Sequence, residues 1–269
     1  MGENESKKHK ELTEKIREQK EGPKNPIRFQ LQLNEEQKIA KEMIMNNAIT
    51  VLSGKAGSGK TLVACQVALD LLFKKAVTKI VITRPTVSKE EIGFLPGDLR
   101  EKMDPWVQPI YSNFYQLYNR EKIDSIIQNG QVEIVPVAFM RGRTFLDSFV
   151  IVDEAQNCTN EQMEMIVSRL GIRSKMVICG DTQQVDLKNK NESGFRFLLS
   201  VARKVKDMDS LTLTINHRHS VVDALLDEYE KIKIIVSNYK KYRNAQEQEI
   251  LNDPIKYYAK TKEEGMREI

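Results

Sequence analysis

Ala48-Ile49-Thr50-Val51-Leu52-Ser53-Gly54-Lys55-Ala56-Gly57-Ser58-Gly59-Lys60-Thr61 is the stretch on which the fold turns. An apolar, β-branched run enters a glycine-rich turn, and a helical pattern follows from Thr61 to about Phe73. The spacing of Gly54, Gly59, Lys60 and Thr61 matches the phosphate-binding loop G-x-x-x-x-G-K-[ST]. A loop that wraps a polyphosphate turns its backbone N–H groups inward, in conformations that glycine tolerates best. The following helix adds the positive end of its dipole. Gly54, Lys55, Ala56, Gly57, Ser58 and Gly59 would form the cradle. Lys60 would place a charge on the β- and γ-phosphates, and the Thr61 hydroxyl would ligate Mg²⁺.

Working outward, Lys79 to Thr83 reads as a second buried strand and ends in Arg84-Pro85-Thr86. Phe149 to Val152, Met176 to Cys179 and Leu211 to Ile215 read as further strands, with Val132 to Val137 another. Helical patterns lie at Asn160 to Leu170, Gly194 to Val205 and Val221 to about Tyr239. Upstream, Asn34 reads as an N-cap with Gln37 at N3 of a capping box. Strands alternating with helices predict an α/β fold: a mostly parallel sheet with helices on both faces. Val87 to Pro105 reads as a loop-rich insert, with a helix starting at Asp104-Pro105. That helix carries Tyr111, Phe114, Tyr115 and Tyr118 on one stripe, read as a core face in preference to a base-stacking surface.

The chain partitions into a charged tail, residues 1–28, a core, residues 29–237, and a polar extension, residues 238–269. A net charge of +4 permits a nucleic-acid partner without arguing for one. Cys65, Cys158 and Cys179 are odd in number and sit in apolar runs, which fits a reducing, cytoplasmic setting. No stretch has the length and apolarity of a membrane span.

Phe149-Val150-Ile151-Val152 delivers Asp153 and Glu154 to a strand end. Downstream of a phosphate loop, Asp153 is the expected Mg²⁺ holder and Glu154 the group that orients and deprotonates an attacking water. The second carboxylate favours hydrolysis over phosphoryl transfer to a small molecule. In Gly180-Asp181-Thr182-Gln183-Gln184, Gln184 or Gln183 is placed to sense the γ-phosphate, a reading preferred to a plain turn capped by Asp181.

The strings Gly54 to Thr61, Thr83-Arg84-Pro85, Ile92-Gly93-Phe94-Leu95-Pro96-Gly97-Asp98-Leu99, Met140-Arg141-Gly142-Arg143-Thr144-Phe145 and Val152 to Asn157 resemble the PhoH family, in its order. The resemblance covers about Leu31 to Gly194 and suggests a phage-type or other divergent member. It implies a cytoplasmic ATPase, in the host cytoplasm if phage-encoded. The implied fold is a P-loop NTPase with a RecA-like core, related to the N-terminal domain of superfamily 1 helicases. Position by position it implies Gln37 for adenine, Lys60 and Thr61 for phosphate and Mg²⁺, Asp153 and Glu154 for metal and water, and Gln184 for the γ-phosphate. Asn216-His217-Arg218-His219-Ser220 is similar to a segment whose arginine reaches the γ-phosphate, although the local string departs from the usual ending.

Superfamily 1 motors hold ATP between two domains of one chain. Counted from the last expected strand, about fifty to seventy residues remain here, too few for a second domain of typical size. The expectation is therefore a homo-oligomeric ring, a hexamer, with Arg218, Arg141 or Arg143 reaching a neighbour's ATP. Arg84, Lys89, Arg141 and Arg143 are the candidate track for single-stranded RNA or DNA. The competing reading is an ATP-dependent oligomeric switch or scaffold that regulates a protein partner without translocating. A nuclease is disfavoured, because no further carboxylate cluster accompanies Asp153 and Glu154.

Overall fold

The computed structural model describes residues 32–85, 99–217 and 219–241, with backbone alone at 99–107, 223 and 237–241. The described chain divides between Asn216 and His217 into two compact units. The first is a six-stranded sheet in the order β3-β2-β4-β5-β1-β6, with every pairing parallel. Its strands are β1 (Ile49–Gly54), β2 (Lys79–Thr83), β3 (Val132–Ile134), β4 (Ser148–Val152), β5 (Lys175–Gly180) and β6 (Met208–Leu213). Its helices are α1 (Glu35–Asn46), α2 (Lys60–Phe73), α3 (Leu99–Leu117), α4 (Arg120–Gln128), α5 (Asn160–Val167) and α6 (Gly194–Val201).

Alternation along the strands divides the core in two. Leu52, Ile80, Ile82, Phe149, Ile151, Val177 and Cys179 face one cluster, shared with apolar residues of α1 to α4. Val51, Val81, Val150, Val152, Met176 and Ile178 face the other, shared with α5 and α6. Period-two side chains therefore bury both faces, which is why these strands read as unbroken apolar runs. Each such side chain contributes about 1.5–3 kcal/mol when fully buried. The expected parallel α/β architecture is the one observed.

Several boundaries differ from the sequence reading, each for a local reason. Helix α3 begins at Leu99, so Asp104-Pro105 lies inside it rather than at its start. A proline normally breaks a helix interior. Here the apolar stripe holds the helix: Ile110, Tyr111, Phe114, Leu117 and Tyr118 are all buried, and the Tyr118 ring lies 4.6 Å from that of Phe73. The aromatic stripe is thus core, as expected.

Helix α4, capped by Asn119, was not anticipated at all. Strand β3 stops at Ile134, and the Val135 amide makes a last bond to Ile82 before Pro136, which has no N–H to give. The expected strand from Leu211 to Ile215 instead runs Met208 to Leu213, because the Thr214 and Ile215 amides donate to the Glu36 carboxylate. Helices α5 and α6 end three and four residues early, at Val167 and Val201.

The second unit contains α7 (Ser220–Lys241), where Val221, Leu225, Tyr229 and Ile234 are exposed. The helix straddles the expected boundary at residue 237 between core and extension. Most of both expected tails lies outside the described residues. Among the described residues no helix is long and apolar enough to cross a membrane. The three cysteines are free and buried, and burial pushes each thiol above its usual range, Cys158 to about 12.

Candidate active site at the carboxyl edge of the sheet

Parallel strands present their carboxyl ends on one edge, where ligands of such sheets bind. The tips of β1, β2, β4 and β5 are adjacent there, by the register of Leu52 with Cys179, Val152 with Ile178 and Thr83 with Val152.

At the β1 tip the loop from Gly54 enters α2 at Lys60. Gly59 takes a left-handed conformation, φ 85°, and a Cβ there would meet Gln37 Nε2 at 2.4 Å. At Gly54 a Cβ would strike the Leu213 carbonyl at 2.4 Å. Both glycines therefore answer to close packing around the loop. Lys60 Nζ donates to the carbonyls of Gly54 at 2.7 Å and Lys55 at 3.0 Å, which draws the ammonium across the loop.

Gln37 forms the expected capping box on α1. It also does something the sequence did not show. Its Oε1 accepts from the Asn34 amide and its Nε2 donates to the Ser58 carbonyl at 3.2 Å. The buried side chain braces the loop, so the residue implied for adenine is turned toward Ser58.

At the β4 tip Asp153 is buried and its amide donates to the Thr83 carbonyl, which ties the β4 and β2 tips together. The Thr61 hydroxyl donates to Asp153 Oδ1 at 2.8 Å. Burial raises the Asp153 carboxyl above its usual range and the neighbouring Glu154 charge adds to this, against the Thr61 hydrogen bond and the Arg84 charge. A desolvated carboxylate converging with a hydroxyl suits a hard cation, which prefers oxygen ligands. Ser58 Oγ, Thr83 Oγ1 and Asp181 Oδ2 are buried with no hydrogen-bond partner among the described residues. Unsatisfied polar atoms at the phosphate loop and at two strand tips fit a polar ligand and its waters.

Glu154 adopts a left-handed backbone, φ 53° and ψ 36°, unusual for a non-glycine residue and of the kind stored at functional sites. Its Oε2 accepts from Gln156 Nε2 at 2.6 Å, and its Oε1 lies 3.5 Å from the Arg84 guanidinium. Gln156 is 1% exposed, and its Oε1 accepts from the Asp181 amide at 3.0 Å. One side chain thus joins the β4 and β5 tips.

Gln156 is the residue sequence reasoning missed, although it stands two positions after Glu154 in the motif already quoted. Gln183 and Gln184, the expected sensors, are exposed on a turn in which Asp181 Oδ1 accepts from the Gln183 amide. That bond makes Asp181 the local cap of the turn.

The basic residues have separate fates. Arg84 faces Glu154. Arg143 pairs with Glu133 at 2.8 Å and lies over the Phe145 ring, and Glu133 is level with Val81, three residues short of Arg84. Burial raises the Glu133 carboxyl, but Arg143 and Lys79 outweigh this and leave it below its usual range. Arg143 is thus ion-paired at the sheet's edge in this structure. Arg141 is exposed. Lys89, Arg218 and the string from Ile92 to Asp98 lie outside the described residues.

The family described as "PhoH-like protein" matches residues 31–230. The chain belongs to this family. The PhoH-like protein of Synechocystis is 39% identical over 191 residues, 70% of this chain and 58% of that protein. Protein PhoH of Escherichia coli is 40% identical over 163 residues, 57% of this chain and 44% of that protein. Protein PhoH2 of Bacillus subtilis is 38% identical over 164 residues, 57% of this chain and 36% of that protein.

The chain thus spans about half the length of the relatives it matches. Among solved structures, the Pif1 helicase of Candida albicans overlaps with a TM-score of 0.43 at 15% identity, over 78% of this chain and 47% of that one. The UvsW helicase of bacteriophage T4 overlaps with a TM-score of 0.40 at 13% identity, over 68% of this chain and 60% of that one. The phosphate loop, the parallel sheet and the PhoH-like match together make this domain a P-loop NTPase.

Proposed function

We propose that this domain hydrolyses ATP with Mg²⁺, and that single-stranded RNA or DNA is its partner. The observation that carries the reading is the convergence of Lys60, Thr61, Asp153 and Glu154 on one sheet edge, from two elements far apart in sequence. Thr61 and Asp153 would hold the metal. Bound Mg²⁺ supplies charge neutralisation on the β- and γ-phosphates.

The chain's own groups do the rest. Lys60 leaves its two carbonyl partners for phosphate oxygens, an exchange of neutral acceptors for charged ones. The loop amides and the α2 dipole hold the polyphosphate. Glu154 accepts the proton of a water whose oxygen bonds to the γ-phosphorus as the bond to the ADP oxygen breaks. ADP and phosphate are the products. Gln156 fixes the Glu154 carboxylate and connects it to Asp181. Gln184 and Gln37 would adjust on binding, one toward the γ-phosphate and the other toward the base.

Arg84 and Arg141, with Lys89, are the groups proposed to meet the strand's phosphates. A ring of copies, six in the arrangement expected from the sequence, would bring Arg141 or Arg218 to a neighbour's ATP. The test is phosphate release from ATP with and without oligo(rU) or oligo(dT), across protein concentration. Release stimulated by the oligonucleotide is expected, with specific activity rising as copies associate. Release indifferent to nucleic acid would favour the switch that regulates a protein partner. Specific activity that stays flat to the lowest concentrations would remove the neighbour's arginine.

A further inference from the structure

Among the described residues of the proposed basic track, Arg84 is the one that meets Glu154. The register of β2 with β4 pairs Thr83 with Val152, so Arg84 falls beside Asp153 and Glu154 by construction. The Asp153 amide on the Thr83 carbonyl locks that alignment. Pro85 disfavours a helical turn at Arg84 and keeps the residue at the sheet edge.

The guanidinium meets Glu154 through one nitrogen at 3.5 Å, with the two side chains 24% and 38% exposed. This contact to Glu154 is long and not a bidentate fork, so the pair is weak and open to a competing anion. The same carboxylate accepts from Gln156 on its other oxygen. Both Glu154 oxygens are therefore engaged with the protein.

We propose that Arg84 is a latch on Glu154, opened when a phosphodiester of a bound single strand takes the guanidinium. One cation serves two anions, and cannot serve both at full strength. In the latched state Glu154 Oε1 is held toward β2. When a strand phosphate draws Arg84 away, Oε1 is released to accept a proton from water, while Gln156 keeps Oε2 in place. Strand binding and hydrolysis are then coupled through a single side chain. Coupling of this kind is reciprocal: removing the Glu154 charge must strengthen strand binding as surely as strand binding frees Glu154.

The inference rests on the hydrolytic reading above, and the experiment separates the two. Phosphate release, and oligo(dT) binding by fluorescence anisotropy over a salt series without nucleotide, are measured for the full chain and for Arg84→Ala, Arg84→Lys and Glu154→Gln. Arg84→Ala is expected to raise unstimulated release two- to fivefold, to lose further stimulation, and to bind oligo(dT) with a salt slope shallower by about 1. Arg84→Lys is expected to restore the salt slope. Glu154→Gln, which needs no turnover to be read, is expected to bind oligo(dT) two- to fivefold more tightly. Unaltered affinity in Glu154→Gln, or unstimulated release in folded Arg84→Ala at or below that of the parent, overturns the latch while leaving stimulated hydrolysis standing. No phosphate release from the parent under any condition overturns both.

Discussion

The two halves of the carboxyl edge are built on different principles. The β1 side is a backbone device. Its loop geometry, helix dipole and Lys60 are set by consecutive residues, Gly54 to Thr61, and Lys60 rests on carbonyls of its own loop. The β2–β4–β5 side is a side-chain device. Arg84, Glu154, Gln156 and Asp181 come from three strand tips and work only because the sheet aligns them. A side-chain hydrogen bond from Thr61 to Asp153 joins the halves. The first half is suited to binding and the second to timing the chemistry.

That division is open to direct attack. The largest expected effect is Glu154→Gln, which should lower phosphate release about 10²- to 10⁴-fold, the range of a lost general base, with ATP affinity retained. Normal release in this variant would remove Glu154 from the chemistry. Lys60→Ala should instead weaken nucleotide binding about 10- to 100-fold, the scale of a charge-assisted hydrogen bond, measured by a fluorescent nucleotide. If Lys60→Ala spared affinity and cost only rate, the loop would not be the binding half.

Asp153→Asn sharpens the contrast between function and stability. The buried Asp153 carboxyl is raised by burial, so its charged form is a burden on the metal-free fold. Removing the charge while keeping an acceptor for Thr61 should raise the metal-free melting temperature about 2–4 °C, near 1 kcal/mol for a domain of this size. Mg²⁺-dependent hydrolysis should be lost. A lower melting temperature would mean that the carboxylate is already compensated.

The smallest effect lies away from the site. The Thr214 hydroxyl holds the Glu36 carboxyl below its usual value, helped by the Ile215 and Thr214 amides. A depressed carboxylate stabilises the fold above the unfolded pKa, about 4.3, and loses that contribution as pH falls through the folded value. Glu36→Gln should cost a few tenths of a kcal/mol at pH 7 and progressively less as the pH is lowered below the usual carboxylate range, read from urea midpoints.

Much of the molecule was legible in order along the chain. The phosphate loop, the α1 capping box and the acid-bearing strand were each carried by local pattern. The α3 start was misread because Asp104-Pro105 is a strong local start signal, and the helix extends upstream of it to Leu99. Helix α4 was missed because it is short and polar outside Ile123 and Ile126. The pairing of Arg143 with Glu133 was not legible, because an arginine in a loop carries no sign of a partner that comes from another element.

The sequence by itself determined that this chain is an α/β P-loop domain, and it named the lysine, the threonine and the two carboxylates. Those features depend on residues within one turn, one loop or one strand. Only the tertiary structure decided that Gln37 braces the phosphate loop, that Gln156 and not an exposed glutamine joins Glu154 to β5, and that Arg84 answers to Glu154. Those contacts are set by strand order and register, and a partner across a sheet leaves no mark on the local sequence of either residue.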